Sequence, residues 1–87
     1  MYKYEIVDLE IWGNEEDGYT VNDAFHTLEY IEIEDIDDDK EILNAVSHYL
    51  KDPIKNCYID NMSSEETIYI NAYKNDMPLI ELQLVAE

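Results

Sequence analysis

The residues with the clearest chemical potential are carboxylates, and they are concentrated in one stretch of the chain. Between residues 29 and 41, eight acidic side chains stand against a single lysine, Lys40. Carboxylates two residues apart on a strand lie on one face, roughly 6.6–6.8 Å from each other. Two steps along the phosphates of a DNA strand cover nearly the same distance, since each step is about 3.4 Å. This pattern predicts a surface that binds cationic groups. The eight residues are Glu29, Glu32, Glu34, Asp35, Asp37, Asp38, Asp39 and Glu41.

Calcium binding is the competing use of these acids. Asp35, Asp37 and Asp39 match positions 1, 3 and 5 of an EF-hand loop. Position 6 is then Lys40 where that loop requires glycine, and position 12 is Val46 where it requires glutamate. Because the match fails at its two most demanding positions, the sequence predicts no metal site and no cofactor.

A second acidic group, Glu15, Glu16 and Asp17, occupies a polar loop flanked by glycines. If this loop lies near the first group in space, it extends the same surface. Trp12 stands beside the loop at the end of a strand. Because tryptophan is enriched at binding hot spots, Trp12 is the candidate aromatic anchor for a partner, although core packing is the commoner role of such a residue.

Catalytic chemistry has little support in the sequence. The only histidines are His26 and His48, and the only cysteine is Cys57. Cys57 with either histidine could imitate a nucleophile pair, but the cysteine lies in an apolar strand without a local signature. No phosphate loop, zinc-ligand spacing or nucleophile elbow occurs. We therefore expect a protein that is not an enzyme.

The charge of the chain defines the kind of partner. Twenty-two acids against five lysines and no arginine give a net charge of −17. A globule of 10.3 kDa exposes roughly 5,400 Å², or one net charge per roughly 320 Å². Solubility alone requires a net charge with a magnitude of only about 2–8 on a small domain. This excess predicts a basic nucleic-acid-binding protein as partner, without direct binding to nucleic acid or to an anionic membrane.

Hydrophobic periodicity predicts the elements that position the acids. The fold class is α+β, an antiparallel sheet of four to five strands with one helix packed on it, in the order ββαβββ and as a single domain over residues 1–87. A change of phase near Ile6 and Val7 predicts a bulge or a twist, and Asp38 with Glu41 predicts a capping box, with Asp37 as an alternative cap. The predicted strands are residues 4–12, 25–34, 56–60, 67–73 and 78–85, and the predicted helix is residues 37–50.

The cellular setting is predicted from the cysteine and the hydropathy pattern. Cys57 has no partner for an internal disulfide, which favours a reducing, cytoplasmic compartment. The first residues alternate polar with apolar, so they are not typical of a signal peptide, and no apolar run approaches the length of a membrane span. An exposed edge strand could pair with a second copy, so the expected state is a monomer or a homodimer.

Several segments resemble short acidic proteins of bacterial viruses, and in size and charge the chain is similar to virus-encoded DNA mimics of the anti-CRISPR and anti-restriction kinds. This resemblance implies an inhibitor that blocks the nucleic-acid-binding groove of a host defence protein, such as a CRISPR effector or a restriction enzyme, in the bacterial cytoplasm. The alternative is a viral accessory or regulatory protein that binds a basic surface without mimicking nucleic acid. The segments are Tyr4-Glu5-Ile6-Val7-Asp8, Ile11-Trp12-Gly13-Asn14-Glu15-Glu16-Asp17-Gly18-Tyr19-Thr20-Val21-Asn22-Asp23 and Thr67-Ile68-Tyr69-Ile70-Asn71.

Overall fold

The fold consists of one antiparallel sheet and one short α-helix. The computed structural model describes residues 1–86. Its elements are β1 (Tyr2–Asn14), β2 (Gly18–Ile33), α1 (Asp39–Ala45), β3 (Cys57–Ile59), β4 (Thr67–Ala72) and β5 (Pro78–Ala86), with short 3-10 turns at Ile54–Asn56 and Lys74–Asp76. The strands lie side by side in the order β2-β1-β5-β4-β3. The α+β fold class and the order ββαβββ are therefore confirmed.

β1 and β2 form a hairpin that is longer than the sequence indicates. β2 begins at Gly18, so the predicted start at residue 25 is wrong. Residues 20–26 are all exposed and show no hydrophobic period, but backbone pairing with β1 holds them in the sheet. The turn depends on Gly13, where a Cβ atom would lie 2.1 Å from the carbonyl oxygen of Gly18.

The predicted irregularity near Ile6 and Val7 is confirmed as a bulge in β2. Three residues of β2, 27–29, stand opposite Ile6, and Leu28 has a positive φ of 61°. The carboxylate of Glu5 holds this conformation, since its Oε2 accepts a hydrogen bond from the Leu28 N–H (3.1 Å) and its Oε1 lies 2.8 Å from His26 Nδ1. The hydrogen bond from His26, assisted by the one from Leu28, keeps the pKa of Glu5 below its usual range, although burial acts in the opposite direction.

The helix is shorter than its hydrophobic pattern indicates. α1 ends at Ala45, so the predicted end at residue 50 is wrong. Beyond it the chain continues in turns, with Tyr49 N–H bonded to the Val46 carbonyl (2.8 Å) and Leu50 N–H to the Ser47 carbonyl (3.3 Å). Such turns also direct apolar side chains to one side, which explains the continuing pattern. Within residues 1–86, no helix has the length and apolarity needed to cross a membrane.

The helix covers one face of the sheet and closes the hydrophobic core. Ile42 and Val46, from α1 and its C-cap, are 1% and 0% exposed, and they share the core with Ile6, Ile70 and Leu82. Removing apolar surface from water contributes about 25 cal/mol per Å², so the contact between helix and sheet stabilises the fold. Ile68 of β4 and Ile80 of β5 are also buried in this core, and Leu84 packs against it.

Strand directions decide which loops lie together. β2 and β3 run the same way, because three strands separate them in a sheet whose neighbouring strands are all antiparallel. The β2–α1 connection at residues 34–38 and the β3–β4 loop at residues 60–66 therefore share one end of the sheet. The hairpin turn lies at the opposite end, where Glu15 Oε1 is 3.3 Å from Lys74 Nζ.

Replacing Glu5 with Gln should lower the melting temperature, because the bulge loses a charged acceptor. The expected decrease is on the order of 5 °C at about pH 7, the size typical of losing one charged hydrogen bond in a domain of this length. The folded-state pKa of Glu5 lies below that of the unfolded chain, so its stabilisation is present above the unfolded pKa and is lost as pH falls.

The difference between the wild type and the Glu5→Gln variant should thus shrink as the pH falls through the folded-state pKa of Glu5, below which both proteins carry an uncharged group. Glu32→Gln, an exposed change on the same strand pair, is the control and should leave the melting temperature unchanged. Equal melting temperatures for wild type and Glu5→Gln at about pH 7 would show that the carboxylate does not hold the bulge.

Candidate partner-binding surface

Residues 34–41 form an acidic corner where the chain passes from β2 to α1. Asp38 caps the helix, and its Oδ1 accepts hydrogen bonds from the N–H groups of Lys40 (3.1 Å) and Glu41 (3.2 Å). These are donors that the helix itself cannot satisfy. Asp38 is therefore the cap, and the alternative cap Asp37 is not used.

Two further carboxylates hold the backbone of the acidic corner. Glu41 does not reach back to Asp38 as a capping box requires, so that detail of the prediction is wrong. Its carboxylate instead accepts hydrogen bonds from the N–H groups of Glu34 (2.7 Å) and Asp35 (3.1 Å). Asp35 Oδ1 in turn accepts one from the Asp37 N–H (2.9 Å). The corner is thus held by its own acids.

The remaining acids of the corner have no bonding partner. In the described chain, the carboxylates of Glu34, Asp37 and Asp39 accept no hydrogen bond and form no ion pair. Lys40 is exposed and pairs with none of them. The one lysine–carboxylate ion pair within residues 1–86 lies at the opposite end of the molecule. Their charge is therefore available to a partner.

A groove of about 420 Å³ lies between the acidic corner and the β3–β4 loop. Asp37 and Asp39 line it from the corner, and Glu65 lines it from the loop. Isoleucines from α1, β3, β4 and the corner supply its apolar lining. We call it the acidic groove. Its residues are Ile36, Asp37, Asp39, Ile42, Ile59, Asp60, Asn61, Ser63, Ser64, Glu65 and Ile68.

The loop side of the acidic groove is fixed by hydrogen bonds to the sheet. The carboxylate of Asp60 accepts from the Met62 N–H (2.8 Å) and from Asn71 Nδ2 (2.6 Å). The hydroxyl of Tyr4, a fully buried residue, donates to the carbonyl oxygen of Glu65 (2.6 Å). The backbone of Glu65 is therefore tied to the core, whereas its carboxylate has no partner within residues 1–86.

The two predicted acids on β2 lie outside the groove. Glu29 is on the helix side, where its Oε2 lies 3.9 Å from His48 Nε2. Glu32 is on the other face, opposite Lys3 in the strand register and two residues from Tyr30, whose ring centroid is 4.7 Å from Lys3 Nζ. The eight acids of the run therefore do not form one surface.

The hairpin loop carrying Glu15, Glu16 and Asp17 is far from the acidic corner. It lies at the other end of β1, a strand of 13 residues that spans about 40 Å. Glu15 is also partly neutralised by Lys74. The loop therefore does not extend the acidic groove.

Trp12 is exposed, so its interpretation as a core residue is wrong. Its side chain is 59% exposed, and its Nε1 donates a hydrogen bond to Glu10 Oε1 (3.0 Å). Phe25 and Leu28 on β2 are also exposed, at 51% and 73%. The hairpin thus presents apolar side chains away from the acidic groove.

Asp60 and Glu65 are acids of the groove that lie outside the predicted binding residues. Acids that flank a polar turn are common, so no local sequence pattern indicates that these two belong to a binding site. Only the topology indicates their position. Because β2 and β3 run in the same direction, the loop after β3 lies at the same end of the sheet as the start of α1, which follows β2. Strand order therefore assigns them to the groove.

Other chemical groups occupy ordinary positions. Within residues 1–86, no three His, Cys, Asp or Glu side chains are grouped so that they could hold a metal ion. Cys57 is buried, and burial together with the charge of Asp52 raises the pKa of its thiol, which disfavours the reactive thiolate. His26 and His48 each lie beside a carboxylate.

Comparisons with protein-family models, with curated proteins and with solved structures give no match to this chain. Its function is therefore inferred from the geometry and charge of the acidic groove.

Replacing Asp38 with Ala should reduce the free energy of unfolding by about 1 kcal/mol, because two helix N–H groups lose their acceptor. Asp37→Ala is the matched control, since it removes the same charge from a carboxylate without a partner in the described chain. It should leave stability unchanged or slightly higher. Equal losses in urea unfolding of the two variants would contradict the assignment of Asp38 as the cap.

Proposed function

We propose that this protein is a non-enzymatic inhibitor that occupies the nucleic-acid-binding groove of a basic protein. The acidic groove carries the proposal, because Asp37, Asp39 and Glu65, whose carboxylates are unpaired within residues 1–86, all line this one depression. Lysine and arginine side chains that hold phosphates bind carboxylates through the same charge-assisted hydrogen bonds. The groove therefore offers such side chains a substitute for phosphate.

The size and charge of the molecule support mimicry. Its extents of 40 × 25 × 23 Å match a duplex segment of about 12 base pairs at roughly 3.4 Å each. Its exposed area of 5641 Å² is close to the roughly 5,400 Å² expected from mass, so the average charge density is as estimated. Attraction at long range accelerates association with a basic groove, and salt slows it.

The proposed target is a bacterial defence protein that binds nucleic acid, such as a CRISPR effector or a restriction enzyme. The resemblance to short proteins of bacterial viruses and to their DNA mimics supports this class of target and a site of action in the bacterial cytoplasm. The absence of arginine and the net charge of −17 argue against direct binding to nucleic acid. The protein would act as a monomer or a homodimer.

A second candidate is an accessory or regulatory protein that binds a basic surface without replacing nucleic acid. The exposed side chains of Trp12, Phe25 and Leu28 favour it, because they lie outside the acidic groove and resemble the apolar anchors of protein interfaces. In that case DNA would not displace the partner.

Capture of partners from a bacterial lysate tests the proposal with two charge-matched variants of the full chain. One carries Asp37→Asn, Asp39→Asn and Glu65→Gln in the groove, and the other carries Glu15→Gln, Glu16→Gln and Asp17→Asn in the hairpin loop. At about 0.5 kcal/mol per exposed contact, the groove variant should bind its captured partner about 10-fold more weakly. The loop variant should bind like the wild type.

The captured partner should also be released by excess duplex DNA. If the partner stays bound in excess DNA, that result would contradict the mimicry proposal and favour the accessory function. Equal weakening in both variants would show that the acidic groove is not the contact site. Melting temperatures equal to that of the wild type confirm that both variants are folded.

A further inference from the structure

The sheet has a gap beside the outer half of β1. β1 continues to Asn14, but its pairing with β5 ends at Asp8 and Ile80. β5 begins at Pro78, and proline has no N–H with which to extend the pairing. Within residues 1–86, residues 9–14 therefore have no neighbouring strand on the side away from β2, and they form no backbone hydrogen bond to a loop there. Their backbone groups on that side are left as an open strand edge.

Cavities of about 300 and 210 Å³ lie beside this open edge. Leu9, Pro78 and Ile80 line both of them, so the two cavities meet where the pairing of β1 with β5 ends. The larger cavity extends to the turns that follow α1, and the smaller one extends along the other face of the sheet, against β2 and β4. We call the open edge and its two cavities the strand gap. Its other apolar lining residues include Ile11, Tyr49, Leu50, Leu79, Val21 and Tyr69.

An ion pair marks the outer end of the strand gap. Glu15 Oε1 in the hairpin turn lies 3.3 Å from Lys74 Nζ in the turn between β4 and β5. Both side chains are mostly exposed, at 56% and 78%, and exposed pairs of this kind contribute little to stability. The pair therefore does not close the gap to a ligand. Six residues of strand span about 20 Å, so residues 9–14 offer their edge to a segment of about five residues.

We infer that the strand gap receives an extended peptide segment of a partner protein, which pairs with β1 as an added strand. The open edge specifies a peptide backbone, because N–H and C=O groups at the spacing of a strand can satisfy it along its length. The side chains of an added strand point alternately to the two faces of the sheet. Apolar side chains of the segment would thus enter both cavities. A compact small molecule could fill one cavity but would leave the edge unpaired.

Charge determines which kind of segment fits. Asp8, Asp60, Asp76 and Glu81 line the two cavities, against Lys51 as the one cation. A segment of apolar residues flanked by lysine or arginine is therefore favoured over an acidic one. A second copy of this chain is disfavoured, since each copy carries a net charge of −17.

The strand gap is separate from the acidic groove. The outer half of β1 leads to the hairpin turn, whereas the acidic corner follows the far end of β2. This inference therefore goes beyond the proposed function and does not depend on it.

Titration of the full chain with the blocked peptide acetyl-Lys-Val-Ile-Val-Lys-amide tests the inference by NMR. The amide signals of residues 9–13 and the methyl signals of Ile11 should shift with saturation in the millimolar range, where short peptides bind. Exchange of amide hydrogens within residues 9–13 should slow several-fold, because an added strand protects them from water. The methyl signals of Ile36 and Ile59 in the acidic groove should not shift.

Two N-methylated peptides test for backbone pairing. One carries the methyl group on the nitrogen of the isoleucine and the other on that of the following valine, so side chains and charges are unchanged. Successive N–H groups of a strand point to opposite sides, so only one of the two peptides loses a bond to β1. One should therefore bind at least several-fold more weakly than the other. Equal binding by the two would overturn pairing with β1.

A pair of variants tests the location of the peptide. Ile11→Ser should weaken binding several-fold, whereas Ile54→Ser, a change at a half-buried isoleucine outside the strand gap, should not. Melting temperatures identify any variant that is unfolded, and the protection of residues 9–13 in the wild type does not depend on either variant. The absence of a saturable response, or shifts confined to the acidic groove, would overturn the inference. Self-association of the free chain that Ile11→Ser abolishes would assign the gap to a second copy instead. Partner capture by the acidic groove is measured separately, so the proposed function stands or fails on its own result.

Discussion

Electrostatic repulsion between carboxylates is the physical constraint on this fold. With 22 acids and five lysines, nearly every turn of the chain brings negative charges together. Part of this cost is offset where acids accept hydrogen bonds from backbone N–H groups, as Glu5 does at the bulge, Asp38 at the helix and Glu41 at the corner. Each bond satisfies a donor that strand or helix pairing leaves open. These acids stabilise the fold without needing lysine partners.

This use of some acids leaves others free for binding. Asp37, Asp39 and Glu65 sit on backbone that is held by neighbouring groups, yet their carboxylates form no hydrogen bond and no ion pair in the described chain. Because the backbone is already held, a partner has to order only the side chains. The directions of β2 and β3 bring these acids to one end of the sheet, where isoleucine residues line the same groove.

Much of the fold can be predicted from hydrophobic periodicity. The errors in the predicted bounds of strands and helix have local causes. Ile68 and Ile70 on β4 and Leu82 on β5 follow a clear alternation and are buried. The start of β2 has no such period, because strand pairing alone holds residues 20–26. The hydrophobic pattern continues past the end of α1, since the turns at residues 46–50 keep the same apolar side directed to the core.

The candidate site was predictable only in part. The corner acids Asp37 and Asp39 follow from their density in the sequence, but Glu65 comes from a loop distant in the chain and joins them through topology. The separation of residues 15–17 from the corner follows once β1 and β2 pair as a hairpin, since the turn of a hairpin and the far end of its second strand lie at opposite ends. Which acids bond to backbone amides depends on side-chain geometry, and no sequence pattern specifies it.

We propose that this protein and nucleic acid compete for one site on the same partner. The most direct measurement is the apparent affinity of the captured partner for a DNA duplex, determined at increasing concentrations of this protein. For a shared site, the apparent Kd for DNA should rise in proportion to the concentration of the protein without reaching a limit. A plateau in that Kd, or a complex containing partner, DNA and this protein together, would contradict the account.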